Sequence, residues 1–129
     1  ELGRAAGMDL TLSFNPHLLP INRGILSTIY TRPKREVSTE EAVALWRNTY
    51  RDKPWVRILD PGQLPETRFV RGTMYCDIGL AADPRTGRLI ILSAIDNLCR
   101  GASGQALANA NLMCGLDMAE GLALPPLMP

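Results

Sequence analysis

The chain is 129 residues long, with 14 Lys and Arg against 13 Asp and Glu and a formal net charge of +1. That length suits one domain with a core of its own, and the near-balance of charge excludes the concentrated basic surface of a nucleic-acid binder. No apolar run approaches the roughly 18 residues of a membrane-spanning helix. The opening ELGRAAGMD has no apolar leader core and does not begin with Met. It reads like the end of a helix broken at Gly7, so a chain cut from something longer is expected. Cys76, Cys99 and Cys114 are odd in number, with no CxxC spacing and no histidine close in sequence. No metal site is therefore expected, and a reducing, cytoplasmic compartment fits.

Residues 8–15, MDLTLSFN, alternate apolar and polar side chains and predict a half-buried strand. NPHLLPINRG (15–24) carries two prolines and a glycine and predicts a rigid, irregular crossover. GILSTIYTR (24–32) is rich in β-branched residues and predicts a second strand. The clearest helix is STEEAVALWRNTYRDK (38–53). Ser38 and Glu41 have capping-box spacing, acidic residues occupy the first turn, and Ala42, Leu45, Trp46 and Thr49 recur at helical spacing. Pro54 ends the run, WVRIL (55–59) reads as a short strand, and DPGQLPETR (60–68) reads as a loop.

FVRGTMYCDIGLAAD (69–83) and RLIILSAID (88–96) flank a DPRTG turn, with Pro84 and Gly87 where a tight turn wants them. A long antiparallel hairpin is predicted, and the apolar run Leu89–Leu92 implies a central strand covered on both faces. Residues 102–114 predict a helix with Ala102, Ala106, Ala110 and Met113 on one face, Leu107 and Cys114 alongside, and Gly115 closing it. The tail LALPPLMP predicts an irregular surface segment. This order of elements implies an α+β fold with a mostly antiparallel sheet.

Few residues carry chemistry. His17, the only histidine, is a candidate general base held between Pro16 and Pro20; the plainer reading is a structural or surface histidine. Arg23-Gly24 offers a guanidinium beside a close backbone approach, suited to a carboxylate or phosphate, and Arg71-Gly72 has the same form with a weaker claim. Asn97 ends an apolar strand and precedes a Gly-rich turn. Its amide can pair with a carboxamide, or make an ordinary Asx turn or helix cap. Gly101 and Gly104 either admit a ligand near a helix start or allow tight packing, and their spacing is not that of a dinucleotide fold. Asn109 and Asn111 are mildly unfavourable inside a helix. Cys114 is expected to be packed and inert, and Cys99, beside Arg100, is the thiol to test.

SFNPHLLPINRGILSTIYTRP (13–33), DPGQLPETRFVRGTMYCDIGLA (60–81) and IDNLCRGASGQALANANLMCGL (95–116) together resemble the N-acetyl-gamma-glutamyl-phosphate reductase family, over nearly the whole chain and in order. The resemblance implies a mixed, mostly antiparallel sheet with helices on one face, similar to the C-terminal domain of glyceraldehyde-3-phosphate dehydrogenase. It implies a substrate and oligomerisation domain over residues 1–96. The helix and tail, 97–129, would pack back on a nucleotide-binding domain that precedes residue 1. The family's reaction is the NADP-dependent reductive dephosphorylation of an acyl phosphate to N-acetylglutamate semialdehyde, in arginine biosynthesis. The resemblance puts the nucleophilic cysteine and the histidine base upstream of residue 1, so no catalytic residue is expected here and the chain alone is expected to be inactive.

By the same resemblance, Asn97, Gly101 and Gln105 lie beside the nicotinamide of NADP. Arg23 and His17 lie on the side of the substrate, N-acetylglutamyl phosphate. Sheet faces would meet in a homo-oligomer, with neither nucleic acid nor membrane as a partner. The lysine-pathway reductase acting on carrier-linked aminoadipyl phosphate shares these motifs, and aspartate-semialdehyde dehydrogenase is more distant. A non-catalytic oligomerisation module is the reading from another class for the isolated chain.

Overall fold

The computed structural model describes residues 2–127. A short helix, α1 (Leu2–Ala6), stops at Gly7. Strand β1 (Ile25–Thr31) follows, then helix α2 (Thr39–Thr49), strand β2 (Val56–Ile58), strands β3 (Cys76–Asp83) and β4 (Arg88–Ile95), and helix α3 (Gly104–Met113). The strands form one sheet in the order β1-β4-β3-β2. β4 runs antiparallel to both β1 and β3, and β2 is parallel to β3. This is the expected mixed, mostly antiparallel sheet.

The hairpin turn follows the local chemistry of DPRTG. The Asp83 carbonyl accepts from the N–H groups of Thr86 (3.2 Å) and Gly87 (2.9 Å). The Asp83 carboxylate accepts from the Arg85 N–H (3.1 Å) and the Thr86 hydroxyl (3.0 Å). Ser38 caps α2 as expected, its Oγ accepting from the Glu41 N–H at 3.1 Å. Only that half of the capping box forms, because the Glu41 carboxylate turns instead to Arg35 (2.8 Å). The helix ends at Thr49 rather than running to residue 53. Its buried residues are Ala42 and Val43, whereas Leu45 is 63% exposed. The register explains the core: Leu80 pairs with Ile91 and Ala82 with Leu89. Ile78, Leu80, Leu89 and Ile91 therefore share the face that Ala42 and Val43 cover.

The other face is only partly closed. Asp77 is buried there, in a two-pronged pair with Arg57 (2.6 and 2.8 Å), whose guanidinium also lies 4.1 Å from the Tyr75 ring centre. Ile90 and Leu92 are half-buried, and on the same face of β1 Leu26, opposite Ala94, and Tyr30, opposite Ile90, are 54% and 63% exposed. In the run Leu89–Leu92 the central strand thus buries Leu89 and Ile91 on one face and only half-buries Ile90 and Leu92 on the other, where burial on both was expected.

Three further expectations are corrected. Residues 8–15 form no strand: Leu10, Leu12 and Phe14 are exposed and the segment pairs with nothing among the described residues. Alternation makes a strand only where a neighbouring edge supplies the ladder. β3 starts at Cys76, and residues 70–75 are a turn region following a 3₁₀ turn at Thr67–Phe69. The last helix starts at Gly104, after a π-helical turn at Cys99–Ser103.

The last helix buries Gly104, Ala108 and Asn111, not Ala106, Ala110 and Met113, and Cys114 is exposed rather than packed. A Cβ on Gly104 would collide with the Met74 sulfur and sit 2.6 Å from the Cys99 carbonyl. Backbone proximity therefore selects the packed face. Asn111 donates to the carbonyls of Met118 (3.3 Å) and Glu120 (2.9 Å), which settles it as a structural anchor for the tail. Gly115 (φ 72°) closes the helix as expected, with Leu116 N–H bonded to the Asn111 carbonyl (2.9 Å) and Gly115 N–H to the Leu112 carbonyl (3.2 Å). The tail then buries Leu122 against Trp55, Met74 and Ala108. Its last two residues lie outside the described ones.

Candidate functional site

The site is organised by Asp96, the first residue after β4 and wholly buried. Its Oδ1 accepts from the N–H groups of Leu98 (2.9 Å) and Cys99 (2.6 Å), satisfying donors that the following turn would leave unpaired. Its Oδ2 accepts from the Gly72 N–H at 2.8 Å. The Arg23 guanidinium pairs with both oxygens, at 3.0 and 2.9 Å. Burial alone would push this carboxyl up. The Arg23 guanidinium and the three backbone N–H groups outweigh burial and bring it down to about 2. Asp96 is therefore a permanent anion at neutral pH that ties together the segments before β1, before β3 and after β4.

Asn97 is the second tie. Its Oδ1 accepts from the Gly24 N–H at 2.7 Å. Gly24 is required here twice over: its φ is 114°, and a Cβ would lie 2.7 Å from the Thr67 Cβ. Among the described residues the Asn97 Nδ2 makes no hydrogen bond to protein, so the amide retains its donor half. The Gly101 N–H is taken by the Asp96 carbonyl (2.9 Å). A Cβ on Gly101 would meet only that carbonyl oxygen, at 3.6 Å, so the residue offers open space rather than a donor. Gln105 is exposed on the first turn of α3.

The structure thus brings Arg23, Asn97 and Gly101 around Asp96. It does not bring His17 there. That side chain is exposed in the irregular segment before β1, with its Nδ1–H donating to the Asn15 carbonyl at 3.1 Å in the tautomer this contact requires. Asp96 is the residue that sequence reasoning passed over. Its signal, an Asp followed by Asn at a strand end, was visible, but its partners are not local. A depression of about 340 Å³ opens beside the cluster, between Pro20, Ile21, Asn22 and Arg23 on one wall and Thr67, Arg68 and Arg71 on the other. A larger one, of about 830 Å³, lies at the far end of the sheet around the hairpin turn and the start of α2, and none of the sequence-predicted site residues lines it. Burial pushes the Cys76 and Cys99 thiols up, and Asp96 adds to the effect at Cys99, so neither has the depressed thiol of a nucleophile.

The profile of the family described as semialdehyde dehydrogenase, dimerisation domain, matches residues 1–97. The chain belongs to that family. Over all 129 residues it is 56% identical to the N-acetyl-gamma-glutamyl-phosphate reductase of Desulforudis audaxviator and 53% identical to those of Desulfotalea psychrophila and Pelotomaculum thermopropionicum. The chain spans 37% of the length of each of these relatives. Its fold is similar to that of aspartate semialdehyde dehydrogenase II from Vibrio cholerae, with a TM-score of 0.60 at 15% identity, covering 75% of this chain and 29% of that one. At that identity the likeness speaks to fold alone. In the family member described here, no helix among the described residues is long and apolar enough to cross a membrane.

Proposed function

We propose that this chain is the substrate-binding and oligomerisation portion of an NADP-dependent N-acetyl-gamma-glutamyl-phosphate reductase, acting in the cytoplasm. The observation that carries the reading is identity of 53–56% along every residue of the chain to reductases of that name. The names of these relatives favour the acetylglutamyl substrate over carrier-linked aminoadipyl phosphate. Residues 1–96 form the substrate and oligomerisation unit, and 97–129 pack on a nucleotide-binding domain. That second assignment is supported by α3, around which Leu107, Leu112 and Met113 are exposed.

The thiolate and the histidine base are supplied from outside this chain, which alone does not catalyse. The chain's own groups position. Asn97, whose Oδ1 is already engaged by Gly24, would hold the nicotinamide carboxamide through its free Nδ2 donor. Gly101 would leave room for the cofactor, and Gln105 would stand beside that room. The cofactor, when bound, would supply the hydride in its reduced form, NADPH, and accept it as NADP in the reverse direction. Arg23, locked on Asp96, holds the substrate-side wall. Homo-oligomers form through the open sheet face carrying Leu26, Tyr30, Ile90 and Leu92.

The test is phosphate-dependent reduction of NADP by a full-length protein bearing this sequence, with N-acetylglutamate semialdehyde and aspartate semialdehyde as competing substrates. A clear preference for the acetylated substrate is expected. Turnover of aspartate semialdehyde alone would defeat the assignment.

A further inference from the structure

We propose that Arg71, with Arg68 beside it, is the recognition site for a carboxylate of the substrate, in the depression between residues 20–23 and 67–71. The inference rests on the reductase reading and deepens it, by naming which part of the substrate this wall holds.

Three arginines, Arg23, Arg68 and Arg71, are among the residues that line that one depression. Two of them already have carboxylate partners: Arg23 pairs with Asp96 at 2.9 Å and Arg68 with Glu66 at 2.8 Å. Arg71 is exposed and makes neither an ion pair nor a side-chain hydrogen bond among the described residues. Three cations against two carboxylates leave one positive charge, which a single carboxylate neutralises. The Arg23 Nε is the only buried side-chain polar atom without a partner among the described residues. Asp96 therefore does not by itself satisfy the guanidinium that forms the back wall.

The backbone around Arg71 is fixed before any ligand arrives. Its carbonyl accepts from the Leu127 N–H at 2.9 Å, and the next N–H, that of Gly72, is held by Asp96 at 2.8 Å. The two walls also touch where Thr67 abuts Gly24. A cation on a preset backbone binds at a smaller ordering cost than one on a free loop. The planar fork of an arginine matches a carboxylate with two parallel N–H···O bonds. Pro20 and Ile21 make the facing wall apolar, suited to the methylene chain that carries the carboxylate. The wall that carries Arg23 is joined to Asn97 by the 2.7 Å bond from the Gly24 N–H, so the carboxylate site and the proposed nicotinamide side lie on neighbouring segments.

The experiment uses the full-length protein. Arg71→Leu is expected to raise KM for N-acetylglutamate semialdehyde by about tenfold or more, with kcat within about twofold and KM for NADP unchanged. Arg71→Lys, which keeps the charge and loses the fork, should recover only part of the loss. N-acetylglutamate and inorganic phosphate are then titrated separately as ligands, by calorimetry. The variant should weaken N-acetylglutamate binding and leave phosphate binding intact. Loss of phosphate binding with N-acetylglutamate retained would overturn the carboxylate assignment, and no change in either would overturn the site. A wild-type protein that does not turn over N-acetylglutamate semialdehyde would count against the reductase reading. The calorimetric arm would still decide whether Arg71 binds a carboxylate.

Discussion

Replacing Asp96 by Asn keeps the shape of the side chain and removes its charge. In the native site both oxygens are acceptors only, facing one guanidinium and three backbone N–H groups at 2.6–3.0 Å. An Asn amide turns one of those oxygens into a donor, set against Arg23 and against either the Gly72 N–H or the N–H groups of Leu98 and Cys99, and leaves Arg23 without its counter-ion. Holding the carboxyl at about 2 rather than 3.8 corresponds to about 2.5 kcal/mol of folding free energy. Breaking one side of a buried pair costs about 3–5 kcal/mol. Asp96→Asn should therefore destabilise the chain by about 3 kcal/mol and lower its melting temperature by about 10 °C.

Urea denaturation followed by circular dichroism at pH 7 measures this directly. The pH dependence gives a second reading. The folded value lies below the unfolded one, so the Asp96 contribution is complete above about pH 4 and is lost as pH falls through about 2. The gap between wild type and Asp96→Asn should narrow over that window. A gap below about 1 kcal/mol at pH 7, or one that does not change in acid, would refute the account of Asp96 as the pivot.

Gly104→Ala should cost about 2 kcal/mol in the same urea assay, because the new methyl meets the Met74 sulfur and the Cys99 carbonyl in a packed contact; a neutral result would mean that the start of α3 shifts freely. Asn97→Asp retains the acceptor for the Gly24 N–H and loses the Nδ2 donor. In the full-length protein it should raise KM for NADP by about tenfold while the melting temperature moves little. Asn97→Ala should harm both, and an unchanged KM in either variant would remove Asn97 from the cofactor site. Iodoacetamide labelling read by mass spectrometry should modify the exposed Cys114 first. Cys76 and Cys99 should lag, because burial pushes both thiols up. Faster labelling at Cys99 would reveal an activated thiol that the geometry does not contain.

Features set by neighbours a few residues apart were legible in the sequence. The Ser38 cap, the Asp83–Arg88 hairpin turn and the Gly115 helix end all appear where their residue types place them, because each satisfies its own backbone with bonds that span five residues or fewer. The motif resemblance also carried the family and the sheet type.

Tertiary structure decided the rest, because the deciding partners are far apart in sequence. Asp96 meets Arg23 across 73 residues and Gly72 across 24, so its role as the buried pivot has no local signature. Residues 8–15 alternate as a strand should, yet the segment lies along neither outer edge of the sheet, that of β1 or that of β2, and finds no ladder among the described residues. Both sides of α3 carry apolar residues, so periodicity could not choose between them. The choice fell to Gly104, where Met74 and Cys99 leave no room for a Cβ, and to Asn111, whose amide satisfies two tail carbonyls. Local hydrogen bonding is written along the chain. Close packing and the satisfaction of buried polar groups are settled only when distant segments meet.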